Sequence, residues 1–398
     1  MPLKRVLGRR DATWIVAGNM VGAGIFVTPG SVAAHLPGAA WLLLAWLAGG
    51  LLALAGAAVY GELGSRLPRT GGDYRYLHEA FGPLPAFLSG WAAFLLTFSA
   101  AAAAMAITVI DYLQQAFPVL EAWPPLLVRL AGGALILMLT AANAAGAKPA
   151  GRTTMLLTAL PLAGLGLFLI VGLLGENPAI AWPRHVWQSP AEAWPMALGL
   201  ALVPIYFTYS GWNAAAYMAG ELKDARRVLP LALLGGTALV TGLYLAVNGA
   251  ILAVVPGDEM AGSTTAAALA AGRLVGPRAV RGLALVIALA ITGSANVTLM
   301  AGARIYYAMA RDGLAPRTLE QVNRGGVPGA ALWAAGIWTA LLAVQGSFSL
   351  LLSWSTLAIL LFSSLTVAGL MVLRRRPGPA PLYCCPGYPA TLLLYLAA

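Results

Sequence analysis

The stretch GNMVGAGIF, residues 18–26, decides how the chain folds. It places three glycines inside an apolar segment, 12–35, that is long enough to cross a membrane. Each glycine weakens a helix by roughly 1 kcal/mol relative to alanine, and lipid offers no partner for the backbone groups that a break sets free. A helix break in the middle of a membrane span therefore indicates that another polar group takes the place of the missing helix hydrogen bonds.

The composition is typical of a protein that lies within a bilayer. Of the 398 residues, 60% are hydrophobic and only 10% are charged, and the mean hydropathy is +0.80. A soluble domain carries about 25% charged residues. The apolar runs reach the ~20 residues that a helix needs to cross ~30 Å of hydrocarbon, and they lack the alternation of barrel strands. The sequence therefore predicts an all-α integral membrane protein with many spans.

Hydropathy predicts ten spans. They lie at about 12–35, 40–64, 81–113, 125–143, 153–174, 193–220, 229–255, 280–311, 328–345 and 349–373. All but five of the 24 lysines and arginines fall on one side, which the positive-inside rule assigns to the cytoplasm. The N-terminus is then cytoplasmic, and the net charge of +10 reflects topology, so no nucleic-acid partner is predicted.

A second break lies in the sixth span, where Pro204 precedes FTYSGWNAA, residues 207–215. The breaks thus open two sets of five spans, at about 12–174 and 193–373, and the second set begins on the opposite side of the membrane. Paired broken helices in two inverted halves indicate the binding site of a secondary transporter. Residues 374–398 are predicted to be a cytoplasmic loop and part of an eleventh helix.

The first break offers backbone groups of both polarities. Gly22, Ala23 and Gly24 present free N–H groups at the start of a half-helix, where the helix dipole favours an anion. The carbonyls of Met20 and Val21, just before them, face the other way and accept from a cation. A carboxylate and an ammonium group held a few Å apart describe an α-amino acid.

The sixth span repeats the arrangement with carbonyls near Phe207 and Ser210. A competing interpretation remains for the first span alone, because Gly18 and Gly22 form a small-xxx-small face of the kind that lets two helices pack closely. The second break at the matching position favours the binding-site interpretation.

Charged and reactive side chains point to a neutral substrate. All 14 acidic residues are placed at span ends or in loops, whereas a fixed charge at depth would favour a charged substrate or a proton relay. The histidines and cysteines show no metal-ligand spacing, and no nucleophile has a base beside it. We therefore predict no metal, no cofactor and no enzymatic activity. Arg304 and Arg311 are predicted to be snorkelling anchors at a span end.

Five stretches together resemble a known family. They are VGAGIF (21–26) with the TPG that follows, GELGSRLPRTGGDYRYLHEAFGPLPAFLSGW (61–91), FTYSGWNAAAYMAGELKDARRVLP (207–230), SANVTLMAGARIYYAMARDGLAP (294–316) and RPGPAPLYCCPGYP (376–389). The chain resembles the amino acid–polyamine–organocation (APC) superfamily, and most closely its L-type amino acid transporter and bacterial amino acid permease branch. The resemblance implies a LeuT-type five-plus-five inverted repeat with discontinuous helices 1 and 6, in which helix 11 is truncated and helix 12 is missing.

The resemblance also implies roles for residues at the breaks. The substrate carboxylate would meet the N–H groups of Ala23 and Gly24, and the amine would meet carbonyls of Met20 or Val21 together with those of the sixth span. The ring of Phe207 would close over the substrate as a gate, with packing against lipid or core as the alternative. Asn213 would line the site as a polar residue.

Departures from the family pattern leave the driving ion open. Pro161 stands where many members have a lysine whose ammonium replaces a sodium ion, and proline can supply neither charge nor donor. Thr292 and Ser294 offer oxygens to a real Na⁺, although hydroxyls in a helix also bond back to their own backbone. Exchange, Na⁺ coupling and H⁺ coupling all remain. No cysteine lies in an outer loop, so no disulfide-linked accessory subunit is expected.

The sequence therefore predicts a plasma-membrane permease or exchanger that moves neutral L-amino acids by alternating access, with substrate and membrane lipid as its partners. Ala214, Ala215 and Leu360 are predicted to line the side-chain pocket. Two alternatives remain. One is an amino acid-binding membrane sensor without turnover. The other is a polyamine or cationic amino acid permease, which would need an acidic residue near the site, and the sequence predicts none there.

Overall fold

The computed structural model describes residues 3–36, 38–174, 193–263, 265–345, 348–377 and 380–397. Within these ranges the chain is helical and its only β-bridge pairs Leu7 with Leu222, so the predicted all-α class is confirmed. The helices are α1 (Arg9–Met20), α2 (Gly24–His35), α3 (Ala39–Arg66), α4 (Asp73–Phe81), α5 (Pro83–Ala92), α6 (Phe98–Ala116), α7 (Pro125–Ala144), α8 (Ala147–Leu174), α9 (Trp194–Tyr209), α10 (Ala214–Tyr217), α11 (Ala225–Val254), α12 (Gly257–Met260), α13 (Ala266–Val275), α14 (Pro277–Arg311), α15 (Gly329–Gln345), α16 (Phe348–Arg375) and α17 (Ala390–Ala397).

Six of the described helices are long and apolar enough to cross a membrane. They are α3, the α5–α6 helix with its π-helical turn at Ala93–Thr97, α7, α11, α14 and the Ser355–Arg375 part of α16. The α1–α2 pair passes the same test as a seventh span, bent by 48°. α8 covers the fifth predicted span, and α9 and α15 are shorter apolar helices. Each of the ten predicted spans thus coincides with a helix or a broken pair.

Both predicted breaks are present. α1 ends at Met20 and α2 begins at Gly24, with Val21 in an extended conformation between them. α9 and α10 are separated by 210–213, where Gly211 has a φ of +96°. Glycine reaches that left-handed region without a steric penalty, which explains why this break is also built on glycine.

Small residues bring the helices of the centre together. A Cβ atom on Gly18 would collide with the Thr158 side chain of α8, and one on Gly293 of α14 would lie 2.7 Å from the Leu157 carbonyl oxygen. A Cβ atom on Gly22 would meet nothing within 4 Å. The packing role considered for the Gly18–Gly22 pair therefore applies to Gly18, whereas Gly22 faces open space.

One expectation about a charged residue is wrong, and one connection between spans is itself helical. Arg304 is fully buried and donates to Glu221, with Nε 2.8 Å from Oε1, so it is an internal ion-pair residue and not a snorkelling anchor. Arg311, two turns further along α14, is exposed as expected. The connection between the seventh and eighth spans, which lies outside the predicted spans, contains α12 and α13, and α13 packs against α2 and α11.

Candidate functional site

A cavity of about 170 Å³ lies between the two breaks. The predicted residues that line it are Met20, Gly22, Ala23, Gly24, Phe207, Ser210, Asn213 and Ser294. Val21 lies in the first break but is buried and does not line this cavity. The structure thus brings together groups from the first, sixth and eighth predicted spans.

Free backbone donors line one side of the cavity. Among the described residues, no backbone carbonyl accepts from the N–H groups of Gly22, Ala23 or Gly24. The first bonds of α2 are those from Phe26 and Val27 to the Ala23 carbonyl, at 3.0 and 3.3 Å. The first N–H groups of any helix lack internal partners, and here they face a cavity with the positive end of the helix dipole behind them.

The carbonyls at the end of α1 are already engaged with side chains. Met20 O accepts from the Tyr244 hydroxyl at 2.6 Å, and Asn19 O accepts from the Ser294 hydroxyl at 2.8 Å. The Asn19 side chain in turn accepts from Thr298 at 3.0 Å. These contacts hold the end of α1 in place, and a carbonyl oxygen keeps a second lone pair after accepting one bond.

The second break is closed by tight turns. Ser210 N–H donates to the Phe207 carbonyl at 3.0 Å, and Ala214 N–H donates to Gly211 O at 3.1 Å. The Asn19 amide also reaches Gly211 O, at 3.3 Å, and thereby links the two breaks directly. The break of the sixth span is therefore braced against the break of the first.

The residues predicted for ion coupling do not line one common cavity. Ser294 lines the central cavity. Thr292 donates back to the Ala288 carbonyl at 2.7 Å and borders a separate apolar cavity between α6, α7 and α14. Pro161 is buried in α8, one turn beyond the Thr158 hydroxyl, which has no hydrogen-bond partner among the described residues.

The predicted side-chain pocket is wrong in detail. Ala214 and Ala215 are buried but do not line the cavity, and Leu360 is 40% exposed on the outside of α16. Ile359 and Phe362 of the same helix line the cavity instead. Successive residues of a helix point about 100° apart, so hydropathy alone does not select which face of an apolar helix turns inward.

Asp73 is the main residue that the sequence analysis missed. It lies at the start of α4, outside the membrane-spanning helices, and its side chain lines the cavity. Tyr60 and Tyr217 both donate to it, the latter at 2.7 Å. Burial raises the pKa of Asp73 to about 6, although both hydrogen bonds lower it. The expectation that no acidic residue lies near the site is therefore wrong.

Asp73 is tied to the second break through one further bond. The Asn213 amide donates to the Tyr217 hydroxyl at 3.0 Å, and that hydroxyl donates to Asp73. Asn213 and Tyr217 are four residues apart, a spacing that puts two side chains on one helical face. The contact between Asn213 and Tyr217 could therefore have been predicted from their spacing. The contact between Tyr217 and Asp73 could not, because the two residues are 144 positions apart in the sequence.

Two comparisons of the sequence with known proteins found similar proteins. The family model described as "Amino acid permease" matches residues 7–397. The human protein named "Large neutral amino acids transporter small subunit 2" is 31% identical over 407 residues, covering 99% of this chain and 75% of the relative. The mouse protein named "b(0,+)-type amino acid transporter 1" is 29% identical over 391 residues, covering 96% and 80%.

Proposed function

The chain belongs to the amino acid permease family of the APC superfamily, and we propose that it is a secondary transporter for neutral L-amino acids. It works as a permease or exchanger in the plasma membrane, with its N-terminus in the cytoplasm. The two five-span halves form an inverted repeat, and alternating access arises from movement of the broken helices against the remaining spans. The relatives' names, which include large neutral and b(0,+)-type amino acid transporters, support the substrate class.

One observation carries the proposal: unpaired backbone donors at the start of α2 face a cavity of amino acid size. The substrate carboxylate accepts from the N–H groups of Ala23 and Gly24, with Gly22 beside them. A glycine at this position leaves room for a ligand, because a Cβ atom on Gly22 would point into open space. The ligand thereby replaces the helix bonds that the break removes.

The amine is received by carbonyls of the second break. Phe207 O already accepts from Ser210 N–H, and Met20 O already accepts from Tyr244. Ser210 O accepts no backbone bond among the described residues, so we assign the amine first to this carbonyl and then to the second lone pairs of the other two. The partly buried ring of Phe207 closes the site as a gate, and Asn213 lines it.

Coupling is proposed to be exchange, since Thr292 and Pro161 do not line the central cavity together with Ser294. The hydroxyl of Thr292 is satisfied by its own helix and Pro161 supplies no ligand. Na⁺ or H⁺ coupling would instead accelerate uptake when a gradient of that ion is imposed. The counterflow measurements described below, made with and without each gradient, therefore distinguish exchange, Na⁺ coupling and H⁺ coupling.

The transporter is proposed to act without a disulfide-linked subunit. The first relative's name calls it a small subunit. The two cysteines of this chain are the adjacent pair Cys384 and Cys385, in the segment assigned to the cytoplasmic side. Flux through purified single chains would agree with this, and a requirement for a second protein would contradict it.

The experiment is counterflow of labelled amino acids in proteoliposomes that contain the purified chain. A panel of neutral amino acids is measured with and without Na⁺ and with and without a pH gradient. Trans-stimulated flux of at least one neutral amino acid is expected. Saturable binding without flux would favour the sensor, and the absence of both in a protein verified as folded would refute the proposal.

A second candidate, transport of cationic amino acids, is favoured by Asp73. Its carboxylate lines the cavity without a basic partner among the described residues, and the b(0,+)-type relatives bear on this possibility by name. Both of its oxygens are occupied by tyrosine hydroxyls, which is why we rank this candidate second. If the parent shows lysine counterflow and Asp73→Asn loses it while still transporting neutral amino acids, cationic amino acid transport becomes the first candidate.

A further inference from the structure

A second pocket, which we call the basic pocket, lies where the N-terminal segment, the α3–α4 loop and the end of α14 meet. It encloses about 510 Å³ and is lined by Leu3, Arg5, Pro68, Arg69, Thr70, Arg75, Gly220, Tyr307, Ala308, Arg311 and Asp312. None of these residues lines the central cavity. The basic pocket is therefore a separate site that amino acid transport does not explain.

Positive charge is in excess there. Four arginines line the basic pocket against one carboxylate, that of Asp312. Glu79, outside the pocket, lies 3.9 Å from Arg69 and 3.8 Å from Arg75 and neutralises one more charge. An excess of about two positive charges remains, whereas the buried arginine nearby, Arg304, is balanced by its own carboxylate, Glu221.

One of the arginines is held ready for a ligand. Asp312 fixes Arg75 from 3.0 Å, while Tyr74 donates to the same carboxylate at 2.8 Å. The Arg75 side chain is only 12% exposed, and its Nε atom is buried without a hydrogen-bond partner among the described residues. The ion pair with Asp312 therefore holds the Arg75 side chain in a fixed position at the wall of the basic pocket.

We propose that the basic pocket binds a phosphate group. Arginine forks match the oxygens of phosphate geometrically, and the excess of about two charges matches a phosphate dianion better than a single carboxylate. The pocket also has room for more than the phosphate itself. The group comes either from the headgroup of an anionic phospholipid, since polybasic surfaces at the cytoplasmic leaflet attract such lipids, or from soluble phosphate.

The position of the pocket gives the ligand a mechanical role. Arg5 belongs to the N-terminal segment, which is tied to the end of the sixth span through Leu7 N–H and Glu221 O at 3.0 Å. Arg69 and Arg311 belong to the α3–α4 loop and to α14. On the alternating access proposed above, on which this step rests, a phosphate held between these two groups resists their separation at this end of the molecule. It therefore slows exchange while leaving the amino acid site intact.

The test is equilibrium binding of labelled inorganic phosphate to the full chain in a non-ionic detergent at constant ionic strength. Arg69→Gln and Arg311→Gln, both at exposed positions, are each expected to weaken binding at least tenfold. Arg227→Gln, whose side chain is 74% exposed at the same end but outside the pocket, is the matched control and is expected to bind like the parent. Amino acid binding, measured in parallel, confirms that each variant is folded.

Competition identifies the source of the phosphate. If phosphatidic acid in mixed micelles displaces the labelled phosphate, or binds on its own with the same dependence on Arg69 and Arg311, the source is a lipid. If the labelled phosphate binds and phosphatidic acid has no effect, the source is soluble. The proposal is overturned if neither probe binds saturably, or if Arg227→Gln weakens binding as much as the two pocket variants.

Discussion

Replacing Gly24 with alanine is the most direct test of how the two breaks are fitted together. The new Cβ atom would lie 2.6 Å from Thr208 Oγ1 and 2.9 Å from its Cγ2. Thr208 has little freedom to turn away, because its hydroxyl is bonded to Thr28 and to the Pro204 carbonyl, each at 2.8 Å. α2 and α9 must therefore separate at the edge of the cavity.

The expected cost follows from that overlap. Forcing one extra methyl group into a packed interface costs about 1–3 kcal/mol. A free energy of 1.4 kcal/mol corresponds to a factor of ten in an equilibrium constant. Amino acid affinity is therefore expected to fall roughly 5- to 150-fold if the whole cost of separating α2 and α9 falls on amino acid binding. Alanine keeps the backbone N–H, so this loss would come from geometry and not from a missing donor.

The assay compares radioligand affinity with the free energy of unfolding from titration with SDS. Gly199→Ala is the control, since it lies on α9 and its new Cβ atom would meet nothing within 4 Å. Thr208→Ala in the Gly24→Ala background removes the nearest clashing atoms, and a coupling of about 0.5–3 kcal/mol is expected for contacting residues. If Gly24→Ala behaves like Gly199→Ala in both measurements, the close approach has no energetic role and the reasoning is refuted.

Three further perturbations test single interactions. Asp73→Asn is expected to stabilise the protein at pH 7.5 and to lose that advantage as the pH falls towards 4.5, in thermal-unfolding scans. The reason is that burial raises the pKa of Asp73 to about 6, so the ionised carboxylate costs folding free energy above that pH and the cost vanishes on protonation. Tyr244→Phe removes the 2.6 Å bond to the carbonyl that ends α1 and should cost about 1–3 kcal/mol, seen as weaker amino acid binding in a radioligand assay. Arg304→Met should destabilise by about 3–5 kcal/mol in SDS titration, because it leaves Glu221 buried and unpaired, and adding Glu221→Gln should restore most of the loss.

Each of these expectations has an outcome that contradicts it. A stability difference between Asp73→Asn and the parent that stays constant from pH 7.5 to 4.5 would mean that the carboxyl does not titrate in this range. Unchanged affinity in Tyr244→Phe would show that the end of α1 is held by other contacts. A double variant no more stable than Arg304→Met would show that the buried charge is not the source of the cost.

Hydropathy and glycine content were sufficient to predict the spans and the two breaks. Both signals are local, since a run of ~20 apolar residues and a cluster of glycines each act through their own segment of backbone. The free N–H groups of Gly22, Ala23 and Gly24 follow from the break itself, because the start of any helix lacks internal partners. These parts of the site could therefore be predicted from the sequence.

The side chains that complete the site could not be predicted from such local signals. Asp73 belongs to a loop by sequence, yet its carboxylate reaches the cavity because the start of α4 is hydrogen-bonded to Tyr217 at the end of the sixth span. Arg304 looked like a surface anchor until Glu221, 83 positions away, was found beside it. Leu360 carried the right hydropathy but lies on the wrong face of its helix.

What the sequence alone determined is where the backbone of the first and sixth spans must open and which polar groups it then exposes. The tertiary structure decided which distant residues meet those groups, because such meetings depend on helix rotation and on close approach at Gly18 and Gly24. A helix break is a property of a few consecutive residues. A binding site is a property of segments far apart in the chain, and only their packing determines which polar groups remain free for a ligand.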